Sequence, residues 1–444
     1  MTMNTAQIKN ASADDNRTLN HKMKILLDIG QALMESGADC TRIIRDMRRA
    51  AVHLRIPFEQ LQSHVTYTTL MLNITDGERS LTQFRKCMKH GVNLAVIEAI
   101  SKLTWRILRG NTPINAIENA ITQIWNRPRS YPTWAAALGA AIASGASCSL
   151  FGGSLSEALI ATIAALAGFI AHRLSISNEF NPYACSMIAA FVSTIFAWFI
   201  PLMLGLSTMW YALVSCTIFL IPGFPIVNST SDVINRFISS GMTRAIDTIL
   251  IIGGMTFGIA FAILSTGIAN ISDVHIRPTD AYLSQALAAA LAAGGFSIIF
   301  NTPRKLLALV ALEGTLTMLM RNVLMNEFGL SQAIGSFAAA AVVGISALKV
   351  IHIVHTPNTL LIIPPIIPLV PGVLLYRLLF AILHIQIISA EELLQALRFG
   401  VDGMTIILAI VIGVSIPNIF IQSRIEAQQQ SEINAIIARR NAEK

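Results

Sequence analysis

The chain has 444 residues, of which 54% are hydrophobic and only 13% are charged, and its formal net charge is +7. Soluble domains carry about 25% charged residues, so this composition excludes an ordinary soluble protein and favours one that lies largely in a lipid bilayer. Residues 1–131 hold 18 of the 32 basic and 11 of the 25 acidic residues, which places the whole net charge at the front of the chain.

The front of the chain predicts a small folded domain behind a polar tail. Residues 1–20 are rich in Asn, Thr and Asp and predict a disordered tail. Helical spacing of apolar residues follows, and Gly37 divides it into two helices. Residues 62–87 are rich in strand-forming residues around an Asp76-Gly77 hairpin turn, and helical spacing then returns. We therefore expect an α+β domain over residues 21–131.

The chain lacks the sequence signatures of several enzyme classes. It contains no G-x-x-x-x-G-K-[ST] phosphate loop, no H-E-x-x-H and no G-x-S-x-G, so an ATPase, a zinc protease and an esterase are not indicated. An odd number of widely spaced cysteines argues against a disulfide framework and against a zinc site. We expect no cofactor and no metal. The five cysteines are Cys40, Cys87, Cys148, Cys185 and Cys216.

Beyond residue 131, long apolar runs predict a mainly α, polytopic membrane protein. A helix needs about 20 apolar residues to cross the hydrocarbon core, because lipid satisfies no backbone polar group. The runs predict two membrane halves of five crossings each, 132–272 and 273–423, and a polar tail over 424–444. The predicted crossings are 133–151, 155–173, 184–203, 208–222, 244–268, 282–300, 305–325, 332–351, 358–383 and 401–421.

The charges in the connections predict the orientation in the membrane. A basic front domain without an export signal is expected to stay in the cytoplasm, and ten crossings then place both termini there. Six basic residues fall in the short connections on the inside and three in those on the outside, which agrees with the preference of basic residues for the cytoplasmic side. The front domain is expected to attract anionic lipid rather than nucleic acid, because acidic residues are interspersed among its basic ones.

The two halves predict an internal repeat. Pro222-Gly223 and Pro371-Gly372 lie 149 positions apart, as do the segment starts Thr133 and Tyr282. A unit with an odd number of crossings must be inserted in opposite orientations when it is repeated, so we expect a 5+5 inverted repeat, as in many secondary transporters. Two interrupted helices at matching positions indicate a transport site, although a helix end followed by a kink would explain them as well.

Ionisable residues in apolar segments are the second indication of a site. Each costs a few kcal/mol near the bilayer centre, so a buried one needs a partner or a function. Glu313 lies in the middle of an apolar segment and is the main candidate for a proton carrier, with Asp247 as a second. Arg321 and Arg377 have a planar fork that matches a carboxylate in two hydrogen bonds. For Asp247 and similar residues at helix ends, placement at the membrane interface is the alternative.

Several motifs resemble the threonine/serine exporter family, which includes two-subunit bacterial exporters linked to dicarboxylate efflux. The second half of the chain resembles the smaller of those two subunits, so the chain resembles both subunits fused into one. The motifs are Glu35-Ser36-Gly37-Ala38, Arg85-Lys86-Cys87, Gly91-Val92-Asn93, Pro222-Gly223-Phe224-Pro225-Ile226-Val227-Asn228-Ser229 with Asp232, Gly241-Met242-Thr243-Arg244, Phe300-Asn301-Thr302-Pro303, Gly314, Arg321, Pro371-Gly372 and Tyr376.

The interrupted helices, together with the motifs that carry the resemblance, lead us to expect a substrate site at the two Pro-Gly breaks, with Asp232, Arg244 and Arg321 nearby. The chain departs from the family pattern at Val370, where we expect an aromatic residue, and at Lys89-His90, where we expect an acidic-basic pair. These departures leave the substrate open. The implied substrate-binding residues are Pro222, Gly223, Phe224, Pro225, Asn228, Asp232, Arg244, Asn301, Arg321, Pro371, Gly372 and Tyr376.

We therefore expect a secondary active exporter of a small polar metabolite, and the resemblance implies export driven by an ion gradient in a bacterial inner membrane. Threonine or serine is the expected substrate, and a proton gradient is the expected driving force. The sequence does not decide whether the protein forms a homo-oligomer. A dicarboxylate is the alternative substrate. A membrane enzyme is the alternative of another class, with Cys87, His90, Asp76 and Glu78 as its clustered reactive residues, and a passive channel is a third.

Overall fold

The computed structural model describes residues 5–442 apart from 57–59, 77–78, 111, 208, 268–280, 355 and 384–387. Its Cα positions form two compact units. The first unit contains the described residues of Met1–Pro128, Ser231–Thr243 and Glu426–Lys444. The second contains those of Arg129–Thr230 and Arg244–Ile425.

The predicted change from helix to strand and back to helix is confirmed in the first 128 residues. The three strands form an antiparallel sheet in the order β1-β2-β3, and Asp76 is the partner of Arg79 at the hairpin end. Gly77 of the predicted turn lies outside the described residues. The elements are α1 Thr5–Glu35, α2 Cys40–His53, β1 Leu61–Val65, β2 Thr69–Asp76, β3 Arg79–Lys86, α3 Leu94–Arg109 and α4 Ile114–Trp125.

The helix α1 begins earlier than the sequence suggested. It starts at Thr5, so that residues 5–20, predicted to be a disordered tail, are helical in the structure. No Pro or Gly interrupts residues 5–29, and a helix that is already nucleated extends at little cost through such a stretch.

Gly37 separates α1 from α2, as predicted. It has a φ of +90°, a conformation that glycine adopts without a Cβ penalty. The backbone N–H of Gly37 donates to the carbonyl of Met34, and that of Ala38 donates to Leu33, which satisfies the last carbonyls of α1. The side chain of Asp39 then caps α2 by accepting from the Arg42 N–H at 2.9 Å.

The second unit consists of helices, and most of its side chains on the outside are apolar. Exposed leucine, isoleucine and phenylalanine side chains occur along nearly every long helix, as expected where lipid is the solvent. Three of its helices extend into the first unit: α9 and α16 end there, and α10 begins there. The helices are α5 Thr133–Leu150, α6 Leu155–Ser177, α7 Pro182–Met203, α8 Trp210–Ser215, α9 Gly223–Ile234, α10 Ile238–Thr266, α11 Tyr282–Ile299, α12 Leu307–Asn326, α13 Gln332–Val354, α14 Thr359–Ile366, α15 Gly372–Leu383 and α16 Ala390–Ala442.

Within the described residues, eight helices are long and apolar enough to cross a membrane, and up to ten if each of two bent pairs is one span. The protein is therefore a mainly α, multi-pass membrane protein. The bends are 58° between Trp210–Leu220 and Gly223–Ile234, and 54° between Thr359–Leu369 and Gly372–Ile382. The fourth crossing was predicted to end at residue 222. Instead the chain turns and continues as α9 to Ile234, because Pro222 interrupts the hydrogen-bond ladder without preventing a new helix from starting.

Glycines allow the helices of the second unit to approach each other closely. A Cβ on Gly139 of α5 would lie 3.0 Å from the carbonyl oxygen of Gly295 on α11, and one on Gly295 would lie 2.5 Å from that of Gly139. A Cβ on Gly254 of α10 would lie 2.5 Å from the carbonyl oxygen of Tyr183 on α7. Small residues at such contacts let the backbones of membrane helices pack closely.

The two halves of the second unit have matching elements. Helices α5 and α11 both contain 18 residues, and each starts and ends 149 positions from the other. Two positions after the last residue of each helix comes a residue of positive φ, Gly152 and Asn301, again 149 positions apart. Where α5 and α11 cross, Gly139 approaches Ile298 and Ala143 approaches Gly295, so the helices run antiparallel. This agrees with the predicted inverted repeat. The predicted boundary between the halves, after residue 272, lies outside the described residues.

Candidate functional site

Each break in the second unit is a tight turn between two helical pieces. Before the first break, a 3-10 turn at Ile218–Leu220 ends in Ile221, which has φ −62° and ψ 120°. The N–H of Gly223 donates to the carbonyl of Ile221 at 2.8 Å across Pro222, which is a γ-turn. Helix α9 then starts at Gly223. Pro225 lies in the first turn of α9, where a missing N–H costs little.

The second break has the same geometry. A 3-10 turn at Ile367–Leu369 ends in Val370, which has φ −64° and ψ 124°. The N–H of Gly372 donates to the carbonyl of Val370 at 2.8 Å across Pro371, and α15 starts at Gly372. The two breaks are therefore equivalent in backbone conformation and hydrogen bonding.

The structure brings the two breaks together. A Cβ on Gly223 would lie 2.8 Å from Cδ1 of Ile367, with Val370 as its other neighbour. A Cβ on Gly372 would meet the side chain of Ile221. The two glycines thus contact equivalent side chains of the opposite break. Their contact surface is apolar, whereas the sequence suggested a site for a polar substrate.

Helix α12 carries buried polar side chains on one face. Glu313, Thr317 and Arg321 follow at intervals of four residues and are 5%, 0% and 7% exposed. The hydroxyl of Thr317 donates to the carbonyl of Glu313 at 2.6 Å. Eight residues correspond to about 12 Å along a helix, so Glu313 and Arg321 lie about two turns apart on this face.

The carboxylate of Glu313 is only partly satisfied. The hydroxyl of Ser346 on α13 donates to Oε1. Oε2 is buried and has no hydrogen-bond partner in the part of the chain that the structure describes. A buried carboxyl oxygen without a partner costs about 1–3 kcal/mol, and more if it is charged. The predicted role of Glu313 as a proton carrier stays a prediction.

Arg321 is buried beside an amide instead of a carboxylate. Its Nε donates to Oδ1 of Asn322 at 3.2 Å. Nδ2 of Asn322 in turn donates to Oε1 of Gln285 on α11. Among the described residues, neither Arg321 nor Glu313 has an ion-pair partner.

Three of these residues were not predicted from the sequence. Gln285, Asn322 and Ser346 are uncharged polar residues inside apolar helices, and outside the family motifs the prediction considered only charged residues and helix breakers. Gln285 and Asn322 are 1% and 0% exposed. A search for Asn and Gln within predicted crossings would have identified both.

Asp232 lies in the first unit and binds the start of a helix. Its Oδ1 accepts from the backbone N–H of Cys40 at 2.9 Å, at the first residue of α2. The Cys40 thiol also donates to the hydroxyl of Ser240 at 3.1 Å. These bonds give Asp232 a structural role that the sequence did not indicate, and its predicted role in substrate binding stays a prediction.

Asn301 joins the start of α5 to the turn between α11 and α12. It has φ +56°, which asparagine tolerates better than most residues. Its Oδ1 accepts from the N–H of Ser130 at 2.8 Å. Arg304 donates to the carbonyl of Ser130 at 2.7 and 3.2 Å, and its guanidinium lies 5.7 Å from the ring centroid of Tyr131. We call Ser130, Asn301 and Arg304 the junction clamp.

The other predicted residues lie in several places of the second unit. Phe224 is 1% exposed, and its ring lies edge-on to that of Phe300 at 5.8 Å. The hydroxyl of Tyr183 on α7 donates to Asp247 of α10 at 2.8 Å. Arg244 and Asn228 are each 3% exposed. The side chain of Tyr376 lies outside the described residues.

The reactive cluster suggested for a membrane enzyme is not arranged for nucleophilic catalysis. Cys87 is fully buried, and burial raises the pKa of its thiol to about 12, so it is protonated at neutral pH. His90 stacks on Tyr67 with ring centroids 4.0 Å apart. The side chain of Asp76 and the whole of Glu78 lie outside the described residues.

Two family models match the chain in tandem. One for threonine/serine exporters matches residues 24–265, and another, for the threonine/serine exporter ThrE, matches residues 285–420. No solved structure matches the chain.

Three curated bacterial proteins illustrate the similarity. A threonine/serine exporter of Corynebacterium glutamicum is 23% identical over 82% of this chain and 76% of its own length. A probable threonine/serine exporter of Mycobacterium tuberculosis is 21% identical over 81% of this chain and 70% of its own length. A probable succinate transporter subunit, YjjP, of Escherichia coli is 22% identical over 50% of this chain and 85% of its own length. The first model alone covers more than half of the 444 residues, and the chain belongs to the threonine/serine exporter family.

Proposed function

We propose that this member of an exporter family is a secondary active exporter of threonine or serine, driven by protons, in a bacterial inner membrane with both termini in the cytoplasm. The two relatives named as threonine/serine exporters align with about four fifths of the chain, which includes both halves. The relative named as a succinate transporter subunit aligns with half of it. This difference supports the hydroxy amino acids over a dicarboxylate.

The observation that carries the proposal is the buried polar face of α12. A charged residue at membrane depth costs a few kcal/mol on insertion scales, and a buried charge without a counter-ion adds to that cost. Glu313 and Arg321 both lack an ion-pair partner within the described residues. A structural role would be cheaper with an apolar residue, so function is the better explanation for these two charges.

The two charges have different roles in the proposed cycle. Arg321 binds the carboxylate of the substrate through its guanidinium fork. Glu313 takes up and releases the coupling proton, and the hydroxyl of Ser346 orients it. Their Cα positions lie about 12 Å apart along α12, and the proposal gives each group its own ligand: the substrate carboxylate for Arg321 and the proton for Glu313.

The two breaks are the segments that move in the proposed transport cycle. Interrupted helices at the interface of two repeats are where secondary transporters bind and release substrate. In the structure, Ile221, Ile367 and Val370 close the space between the breaks. We infer that this contact is an apolar gate, which separates when the exporter changes its accessible side.

The proposal is tested by efflux from cells that lack their own exporters and are loaded with labelled threonine, serine or succinate. Efflux of threonine or serine that a protonophore abolishes is the expected result. Efflux of succinate alone would move the substrate to the dicarboxylates. Efflux that continues with the protonophore at an unchanged rate would contradict proton coupling and favour a passive channel.

A further inference from the structure

We propose that Asn322 and Gln285 are positioning residues that turn the fork of Arg321 toward a single carboxylate group. This inference rests on the proposed function, since it concerns the group that would bind the carboxylate of the substrate. It assigns a role to two residues that carry no charge.

The hydrogen bonds form a chain across two helices. Gln285 on α11 accepts from Asn322, and Asn322 on α12 accepts from Nε of Arg321 at 3.2 Å. All three side chains are at least nine-tenths buried. The donor Nε of Arg321 fixes the direction of this chain. Because Nε can only donate, the amide oxygen of Asn322 faces Arg321 and its amide nitrogen faces Gln285.

This arrangement leaves the terminal nitrogens of Arg321 for a ligand. A guanidinium has five N–H groups, and one of them is used on Nε. The four N–H groups on Nη1 and Nη2 make no hydrogen bond within the described part of the chain. Their spacing matches the two oxygens of one carboxylate.

The acceptor beside Arg321 is the neutral amide of Asn322, so the site keeps the positive charge of the guanidinium. An aspartate at position 322 would offer the same oxygen but also a negative charge, which would neutralise the guanidinium. Asn322 orients Arg321 and leaves its positive charge for the substrate. The guanidinium of Arg321 therefore offers one positive charge and two parallel N–H donors, which match a single carboxylate.

Close packing keeps the chain of hydrogen bonds in register. A Cβ on Gly314 of α12 would meet the Cβ of Ala293 on α11, so the two helices are nearly in backbone contact there. On the other side, the stem of Arg321 lies against Gly335 of α13, where a Cβ would be 3.2 Å from Cγ of Arg321. Neither helix can shift far without breaking the bridge between Gln285 and Asn322.

The test measures saturation of labelled threonine transport by the purified full chain in vesicles, with Asn322→Asp and Gln285→Met. Gln285→Met removes the acceptor of the Asn322 amide, and since a hydrogen bond between two neutral groups contributes modestly, we expect KM to rise by about threefold to tenfold. Asn322→Asp is expected to raise KM further, since its carboxylate competes with the substrate. In both variants kcat should stay within about twofold of the wild-type value, which a general loss of structure would not allow.

Thr315→Val is the matched control. Thr315 also joins α12 to α11, by donating to the carbonyl of Ala286 at 3.2 Å, but it lies outside the bridge. Its KM should equal that of the wild type. A wild-type KM in both Asn322→Asp and Gln285→Met, or an equal change in all three variants, would overturn the inference.

Arg321→Ala separates this inference from the proposed function. If the wild type transports threonine, Arg321→Ala does not, and Asn322→Asp behaves like the wild type, then only the positioning role is wrong. If Arg321→Ala transports threonine with a normal KM, the proposed substrate site is wrong and the inference fails with it.

Discussion

The two units bury charge in opposite ways. In the first unit, Asp46 is fully buried and accepts hydrogen bonds from Arg49 at 2.8 Å and from Ser101 at 2.6 Å. Arg49 also stacks on the ring of Trp105 at 4.0 Å. In the second unit, Glu313 and Arg321 are buried to a similar degree, but each has one neutral polar partner.

This difference separates stability from function. A buried ion pair with extra hydrogen bonds offsets much of its desolvation cost. A structural role in the core is therefore sufficient to explain Asp46 and Arg49. Glu313 and Arg321 have no ion-pair partner among the described residues to offset the cost of burial. They also lie in the membrane unit, where a buried charge costs most. The comparison predicts that a change at the first pair affects folding and that a change at the second pair affects transport.

The largest expected effect is that of Glu313→Gln. The variant keeps the shape of the side chain and removes the titratable group, so efflux driven by the proton gradient should fall by about 100-fold or more. The unfolding temperature should be unchanged or higher, because a buried charge has been removed. Efflux from preloaded cells and thermal unfolding of the purified chain measure the two quantities. Wild-type efflux would exclude Glu313 as the proton carrier.

Asp46→Ala should have the opposite profile. Removal of one partner from a buried ion pair costs about 3–5 kcal/mol, because the other charge stays buried. We expect a large fall in the unfolding temperature of the front unit, measured by thermal unfolding of the full chain. Asp28→Ala is the control: Asp28 pairs with Arg85 at 2.9 Å, but both are partly exposed, so its loss should cost about 1 kcal/mol or less. Equal costs for both variants would contradict the comparison.

Alkaline pH should destabilise the first unit through Cys87. Its thiol has a pKa raised from 9.0 to about 12 by burial. The stability that depends on the neutral thiol is therefore fully present below pH 9 and is lost as the pH rises toward about 12, by at most about 4 kcal/mol. Unfolding midpoints between pH 8 and 11 should fall more steeply for the wild type than for Cys87→Ala. Parallel curves, or rapid labelling of Cys87 at pH 8, would show that the thiol is accessible.

The smallest expected effect is that of a methyl group at a break. Gly372→Ala would collide with Ile221, and such overpacking costs about 1–3 kcal/mol. Gly253→Ala on α10 is the control, since a Cβ there has no neighbour within 4 Å and alanine favours a helix by about 1 kcal/mol over glycine. We expect slower efflux for Gly372→Ala only, and partial recovery when Ile221→Ala is added. No recovery would contradict the contact between the breaks.

The sequence was sufficient to predict the features that depend on local chemistry. The Pro-Gly pairs predicted both breaks, because a proline removes a helical hydrogen bond wherever it occurs. Gly37 predicted the end of α1 because glycine adopts the positive φ of a helix end without a Cβ penalty. Glu313 and Arg321 were identified because charge in an apolar run is costly in any fold.

Contacts between distant residues could not be predicted. Asp232 and Cys40 are 192 positions apart, and nothing local to either residue indicates that the carboxylate binds the start of α2. Gln285 and Asn322 are 37 positions apart, and their role follows only from the packing of α11 on α12. The continuation of α9 beyond Pro222 was also missed, because a proline indicates where a helix ends and not whether another begins.

The junction clamp holds the two membrane halves together by non-covalent contacts, so the peptide link between them is not needed for their association. Ser130 precedes the first membrane half, and Asn301 and Arg304 belong to the second, so three hydrogen bonds join segments that no short connection links. The antiparallel crossing of α5 and α11 and the contact between the breaks add further surface between the halves. Together they form what would be a subunit interface if the gene were split. Two polypeptides, 1–272 and 273–444, made in the same cell should therefore assemble into a working exporter.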